Sequence, residues 1–372
     1  MLFSSFFMGG FECSTHRDAL GRRMDLIAST RHDEFAEQDF QRLRDINISS
    51  CRDGLRWHLI EMEPFRYDFD SAKNQIAAAQ HTGTEVIWDL FHYGYPDDLD
   101  IFSENFIERF AAFSRAATEF LTSELGENFA ACPVNEISFF SWAAGESGKF
   151  HPRVRRRGNE LKRQLVRAAV EATRAIRSVA PGAVLLSTDP AIHVVSKSGS
   201  HERRLAAERY RLAQFESFDM LLGRRDPELG GSPDLVDVIG LNYYFHNQWH
   251  FPNRAKIARG HELYRPLSEI LVEYHERYHK PILIAETGIE DDMRAEWFRY
   301  VCEQVAIAVR SGVDINGICL YPVVNHPGWS DDRHCHNGLW DYCDDKGERE
   351  IYEPLASEIR YQIGLLSETL TA

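Results

Sequence analysis

The chain of 372 residues is 44% apolar, 12% aromatic and 27% charged, a globular composition that excludes a disordered, collagen-like or small disulfide-rich chain. Asp and Glu outnumber Lys and Arg by 57 to 42, and the resulting net charge of −15 repels phosphate backbones, so nucleic acid is not expected as a partner. Seven scattered cysteines without a C-x-x-C pair argue against a disulfide framework and for a reducing, cytoplasmic setting. The apolar start, residues 1–10, lacks a basic flank and a cleavage site and is too short to span a bilayer, so it reads as a buried strand and no membrane association is expected.

Short apolar runs rich in β-branched and aromatic residues alternate with stretches of helical period, the pattern of parallel strands joined by crossover helices. In chain order the spacing predicts strands at Phe3–Phe11, Gly54–Ile60, Glu85–Phe91, Phe129–Asn135, Ala183–Ser187, Leu235–Tyr244, Pro281–Ala285 and Ile315–Tyr321. Helices are predicted to begin near Asp33, Ser71, Ser103, Arg157, Glu202, Pro266 and Arg294, with an eighth near Pro354. Ser103 caps an amphipathic stretch that stops at Gly126, and the fourth helix stops at Pro181-Gly182. Eight β/α units with no Pro/Ser/Gly-rich linker point to one (β/α)8 TIM barrel spanning residues 1–372 as one domain. An open doubly wound sheet is the alternative, but no G-x-G-x-x-G follows the first strand.

Barrel chemistry sits at the C-terminal ends of the strands, so polar residues that directly follow apolar runs are the candidates. Glu136 ends the fourth run and Glu286 the seventh. Two acids facing each other across one mouth act as proton donor and nucleophile on a glycosidic bond. Alternatively each caps the following helix or pairs with an arginine. Arg56, in the predicted second strand, is placed to lie under a carboxylate and keep it ionised. His92, Asn242-Tyr243-Tyr244 and the stretch Tyr321 to Trp329 end strands three, six and eight, giving the mouth the hydrogen-bonding and aromatic groups that hold sugars. Taken singly, His92, Tyr243 and Tyr244 read as core residues, and their common address at strand ends is what favours the site.

These strand ends resemble the (β/α)8 glycoside hydrolases that carry Asn-Glu on strand four and Glu on strand seven, above all family 1, the β-glucosidase type. Glu12 is similar to the Glu of that family's Q-x-E-G, and Leu55-Arg56-Trp57 to its F-R-F. Asp89-Leu90-Phe91-His92-Tyr93-Gly94-Tyr95-Pro96 resembles D-L-F-H-W-D-L-P, and Pro133-Val134-Asn135-Glu136 resembles T-x-N-E-P. Gly240-Leu241-Asn242-Tyr243-Tyr244 is similar to G-x-N-Y-Y, Ala285-Glu286-Thr287-Gly288 to T-E-N-G, and Gly338-Leu339-Trp340-Asp341-Tyr342 to the late G-L-x-x-V-D. The resemblance implies a retaining hydrolase of β-glycosides with no cofactor and no metal. Glu136 would be its general acid/base, Glu286 its nucleophile and Asn135 the partner of the sugar 2-hydroxyl. It further implies that His92 binds a glycone hydroxyl, that Arg56 and Tyr244 orient Glu286, and that Tyr321 and Trp329 wall the carbohydrate site. Gly10 and Gly328 stand where the family carries its sugar-binding Gln and Glu, so simple β-glucosides are expected to be poor substrates. The alternative is an idle barrel that binds carbohydrate beside another enzyme.

Two further features belong to the loops. His326, His334, Cys335 and His336 follow strand eight with Asp331 and Asp332, ligand types without a metal-binding spacing, and read as a polar loop. Arg153, Arg155, Arg156 and Arg157 precede the fourth helix, where cations oppose the dipole. They read as a solvated patch or as the face of a homo-oligomer, with an anionic sugar as the other reading.

Overall fold

Eight parallel strands close on themselves: β1 Phe7–Gly10, β2 Ser50–Gly54, β3 Glu85–Asp89, β4 Ala130–Cys132, β5 Val184–Pro190, β6 Val238–Asn242, β7 Ile282–Thr287 and β8 Ile315–Leu320. The structure is a computed structural model and describes residues 2–197, 199–329 and 331–371. Each strand pairs with its neighbours in sequence and β8 pairs back onto β1, which is the (β/α)8 barrel. The principal crossover helices are α1 His32–Asp45, α2 Lys73–Thr82, α3 Glu104–Leu125, α4 Gly158–Val179, α5 His201–Leu212, α6 Leu267–Tyr278, α7 Arg294–Arg310 and α8 Glu353–Thr371. Ser103 accepts a hydrogen bond from the Phe106 N–H and so caps α3 as its sequence suggests.

Successive strand residues face opposite sides, and the inward set forms its own core of Met8, Ile87, Ala130, Leu186, Val238, Leu283 and Cys319. Register carries this alternation upward. On β3, Ile87 and then Asp89 face inward, and on β2 the residue beside Ile87 is Arg52. The interior therefore changes from apolar to charged toward the C-terminal mouth.

Strand β2 departs from expectation. It runs Ser50–Gly54, and Trp57–Ile60 forms a helical turn outside the barrel. The apolar run Gly54–Ile60 misled because Trp57 is buried for another reason. Its ring lies 5.7, 5.1 and 5.3 Å from Phe106, Phe110 and Phe113 of α3. The sixth strand is likewise shorter than the run Leu235–Tyr244, because Pro233–Leu235 forms a 3₁₀ turn.

Candidate active site

Glu286 lies on β7, whose inward residues Leu283 and Ala285 would by simple alternation leave position 286 facing the helices. The register against β6 shifts between Ile284 and Glu286, a bulge that turns the carboxylate into the mouth. Thr287 then faces outward and accepts from the Trp297 indole N–H of α7 at 2.9 Å. The Glu286 carboxylate accepts from Arg52 Nη1 at 3.2 Å and from the Tyr244 hydroxyl at 2.8 Å. Arg52 is fully buried and also donates to Asp89 at 2.7 Å and to the Asn135 side-chain oxygen at 3.2 Å.

Glu136 ends the β4 unit with φ of +50°, a left-handed conformation that is uncommon for a residue with a side chain and favours functional sites. This turn lets two adjacent residues, Asn135 and Glu136, both reach the mouth. Glu136 accepts from Asn242 Nδ2 at 3.0 Å and from the Tyr93 hydroxyl. Asn135 joins the two halves: its oxygen also accepts from Thr188 at 2.7 Å, and its amide nitrogen lies 3.1 Å from His92 Nε2 and donates to the Tyr93 oxygen at 3.2 Å. A continuous path of polar contacts thus runs Glu136, Asn242, Asn135, Arg52, Glu286. His92 is held from its other nitrogen by Asp89 at 2.9 Å, with Cys13 Sγ 3.1 Å away and Glu12 3.9 Å from Nε2.

Of the sequence candidates, the structure brings Glu136, Glu286, His92, Asn135 and Tyr244 into this network. Tyr321 lies beside it, stacked on His92 at 6.1 Å and under the Arg52 guanidinium at 5.5 Å. Its ring explains Gly10, where a Cβ would fall 2.1 Å from Tyr321 Cδ2. Trp329 forms an aromatic wall with Tyr93, Phe139, Phe150 and His16 at 5.3 to 6.1 Å. Burial pulls the His16 pKa down to about 4, so this ring presents a neutral face.

Arg56 is not among them. It follows β2 and binds Asp33 at 2.7 Å, Asp25 at 3.4 Å and the Ser71 carbonyl at 2.8 Å, tying α1 to the turn before α2. The guanidinium beside Glu286 is Arg52, four residues earlier, because the strand itself starts earlier. Tyr93 and Asn242 were read only inside longer motifs, yet they hold Glu136. The signal for Tyr93 was its place just past strand three, where its φ of +70° turns the chain back into the mouth.

No family model matches the sequence, and no curated protein does. Among solved structures, the β-glucosidase from Thermotoga maritima in complex with glucoimidazole aligns over 98% of this chain and 99% of that one, at TM-score 0.79 and 14% identity. The β-glucosidase from Thermotoga maritima in complex with deoxynojirimycin gives TM-score 0.76 at 15% identity over 90% and 87% of the two chains. For the family 1 β-glucosidase from Thermotoga maritima the values are 0.73, 15%, 89% and 86%. The likeness is one of fold.

The two carboxyls differ in surroundings within this shared fold. Burial and the charge of Glu286 push the Glu136 pKa up to about 8, against the hydrogen bonds from Tyr93 and Asn242. Burial raises Glu286 as well, but the Arg52 and His92 charges and the Tyr244 hydroxyl oppose it, so the proton shared by the pair resides on Glu136. A raised carboxyl pKa stabilises the fold below the unfolded value and loses that contribution as pH rises through about 8. Glu136→Gln is therefore expected to raise Tm relative to the parent at pH 8, by about 2–4 °C, and not at pH 4. Calorimetry at the two pH values checks this, and an equal shift at both would show that Glu136 is not strained by its charge.

Two groups in the described residues bring three side chains of metal-ligating type within reach of one another: Cys13, Asp89 and His92, and His334, His336 and Asp341. In the first, Asp89 is engaged by Arg52 and His92. In the second, His334 Nε2 lies 2.7 Å from Asp341 and its ring stacks on Tyr342 at 4.1 Å. No helix of the described residues is long and apolar enough to cross a membrane.

Proposed function

We propose that this protein hydrolyses a β-linked glycoside with retention of configuration, Glu286 acting as nucleophile and Glu136 as acid/base. The observation that carries the reading is the asymmetry of the two strand-end carboxyls: Glu286 accepts from a buried guanidinium and a tyrosine hydroxyl, while the raised Glu136 holds a proton. In the first step a Glu286 oxygen bonds to the anomeric carbon as the bond to the leaving oxygen breaks, and Glu136 gives that oxygen its proton. In the second, Glu136 takes a proton from water as the water oxygen attacks the anomeric carbon and Glu286 departs. Asn135 and His92 line the floor as hydrogen-bonding groups for the sugar, and Trp329 supplies a ring face.

A 2-deoxy-2-fluoro aryl glycoside of a sugar that is turned over is expected to add one glycosyl mass to the peptide containing Glu286, and proton NMR is expected to show the β-anomer released first. Release of the α-anomer or a label on another residue would overturn the assignment. A screen of aryl glycosides comes before it, and a protein that turns over none of them is the idle binding barrel instead.

The glycine at position 10 sets the expected specificity. Each hydrogen-bond partner missing at Gly10 and Gly328 weakens transition-state binding by about 1–3 kcal/mol, roughly 5- to 150-fold. Cellobiose is accordingly expected to be cleaved with kcat/KM below about 10⁴ M⁻¹s⁻¹, and a value near 10⁷ would contradict it. Gly10→Ala should also destabilise the fold by about 1–3 kcal/mol, read from denaturant midpoints, because the buried Tyr321 ring leaves no room for a methyl.

A further inference from the structure

The segment that carries Glu136 continues as Ile137–Phe140 and Ser141–Glu146, and its aromatic residues lead outward from the acid. Tyr93, which holds Glu136, lies 5.8 Å from Phe139, and Phe139 lies 6.0 Å from Trp142. Two cations then cover the Trp142 ring, Lys149 Nζ and the Arg254 guanidinium, each 4.8 Å from its centroid. They come from different loops, after β4 and after β6. The second loop folds as a short hairpin, Gln248–His250 with Ala255–Lys256, which also places Lys256 4.3 Å from the Phe245 ring, one residue past Tyr244. Arg153, Arg155 and Arg156 follow Lys149 in the first of these loops, all exposed.

In a chain of net charge −15 these two loops carry six cations. No carboxylate lies within ion-pair distance of Lys149, Arg153, Arg155, Arg156, Arg254 or Lys256 among the described residues. The neighbouring arginines do find acids: Arg157 binds Glu160 at 2.6 Å, Arg22 binds Asp18 at 3.3 Å, and Arg259 pairs with Glu296. The Arg254 guanidinium donates to the Tyr210 hydroxyl at 3.2 Å. Arg153, Arg156 and Arg254 also hold positive φ angles of 59°, 60° and 58°, where side chains are disfavoured.

We propose that the leaving-group side of this cleft recognises an anionic aglycone, whose phosphate or carboxylate is held by Lys149, Arg254 and the neighbouring cations after its ring or chain has crossed the Phe139 and Trp142 faces. This rests on the hydrolase reading, because the aromatic path begins at the acid that protonates the leaving group. Guanidinium forks suit such oxyanions, and cations over an aromatic face at a cleft edge retain their attraction for a second charge.

The test compares three aryl glycosides of one sugar that the protein turns over: the neutral phenyl form and the same form bearing a carboxylate or a phosphate on the ring. At low salt the anionic forms are expected to exceed the neutral one in kcat/KM by about tenfold, with the advantage shrinking as ionic strength passes about 0.5 M. In Lys149→Glu/Arg254→Glu the ratio of anionic to neutral kcat/KM should fall to one or below. The ratio is taken within each variant, so a general loss of activity cancels. The carboxylate and phosphate arms separate the two oxyanions. Equal rates for neutral and anionic forms would overturn the proposal and leave the hydrolase reading standing. If none of the three is turned over, that reading fails by itself, and calorimetric titration of the same compounds decides the anion site: tighter binding of the charged forms supports it and equal binding overturns it. A dimer in light scattering that the double charge reversal dissolves would assign these loops to a self-interface and also overturn it.

Discussion

On an activated aryl glycoside, Glu286→Ala is expected to lose on the order of 10⁵-fold in kcat, because the variant has no group to form the glycosyl intermediate. Glu136→Ala should behave differently on the same substrate. A good leaving group departs without a proton, so glycosylation survives, whereas water must still be activated, so the intermediate accumulates. The expected signature is a burst, a lowered KM and a kcat reduced about 10²- to 10⁴-fold. Azide should restore turnover in Glu136→Ala with a β-glycosyl azide as product, and in Glu286→Ala it should yield the α-azide by direct displacement. Parental rates in both variants would remove both residues from catalysis. The pair also sets the pH profile: the basic limb should reflect loss of the Glu136 proton near pH 8.

Arg52→Met should produce the second large effect. Arg52 donates to Glu286, Asp89 and Asn135. Its removal leaves Asp89 buried with only His92 to balance it, a loss of about 3–5 kcal/mol in stability. Without the cation 3.2 Å from its oxygen, Glu286 holds a proton more readily, so the acidic limb of kcat/KM should move to higher pH. Arg56→Met is the control, since its partners Asp33 and Asp25 lie away from the mouth. It should cost stability through those contacts and leave the acidic limb where it was. A profile that shifts in Arg56→Met and stays in Arg52→Met would reverse the roles given to the two residues.

The sequence by itself determined the architecture and the strand ends at which the two acids stand. Eight alternations of apolar run and helical period admit few topologies, and a polar residue that directly ends such a run must lie at the mouth of a parallel barrel. Glu136, Glu286, His92 and Tyr244 were legible on that ground, and Asn135 and the glycines at positions 10 and 328 through the resemblance of their motifs. Tertiary structure alone decided the rest. An apolar run such as Gly54–Ile60 is buried whether it forms a strand or a turn under a helix, so only the contacts of Trp57 with α3 reveal which, and with them that Arg52 rather than Arg56 faces Glu286. The bulge at Ile284–Glu286 leaves no trace in a string of apolar residues, yet it decides which way the carboxylate points. The gathering of unpaired cations over Trp142 likewise joins loops a hundred residues apart, a proximity set by the closing of the barrel and by nothing local to either segment.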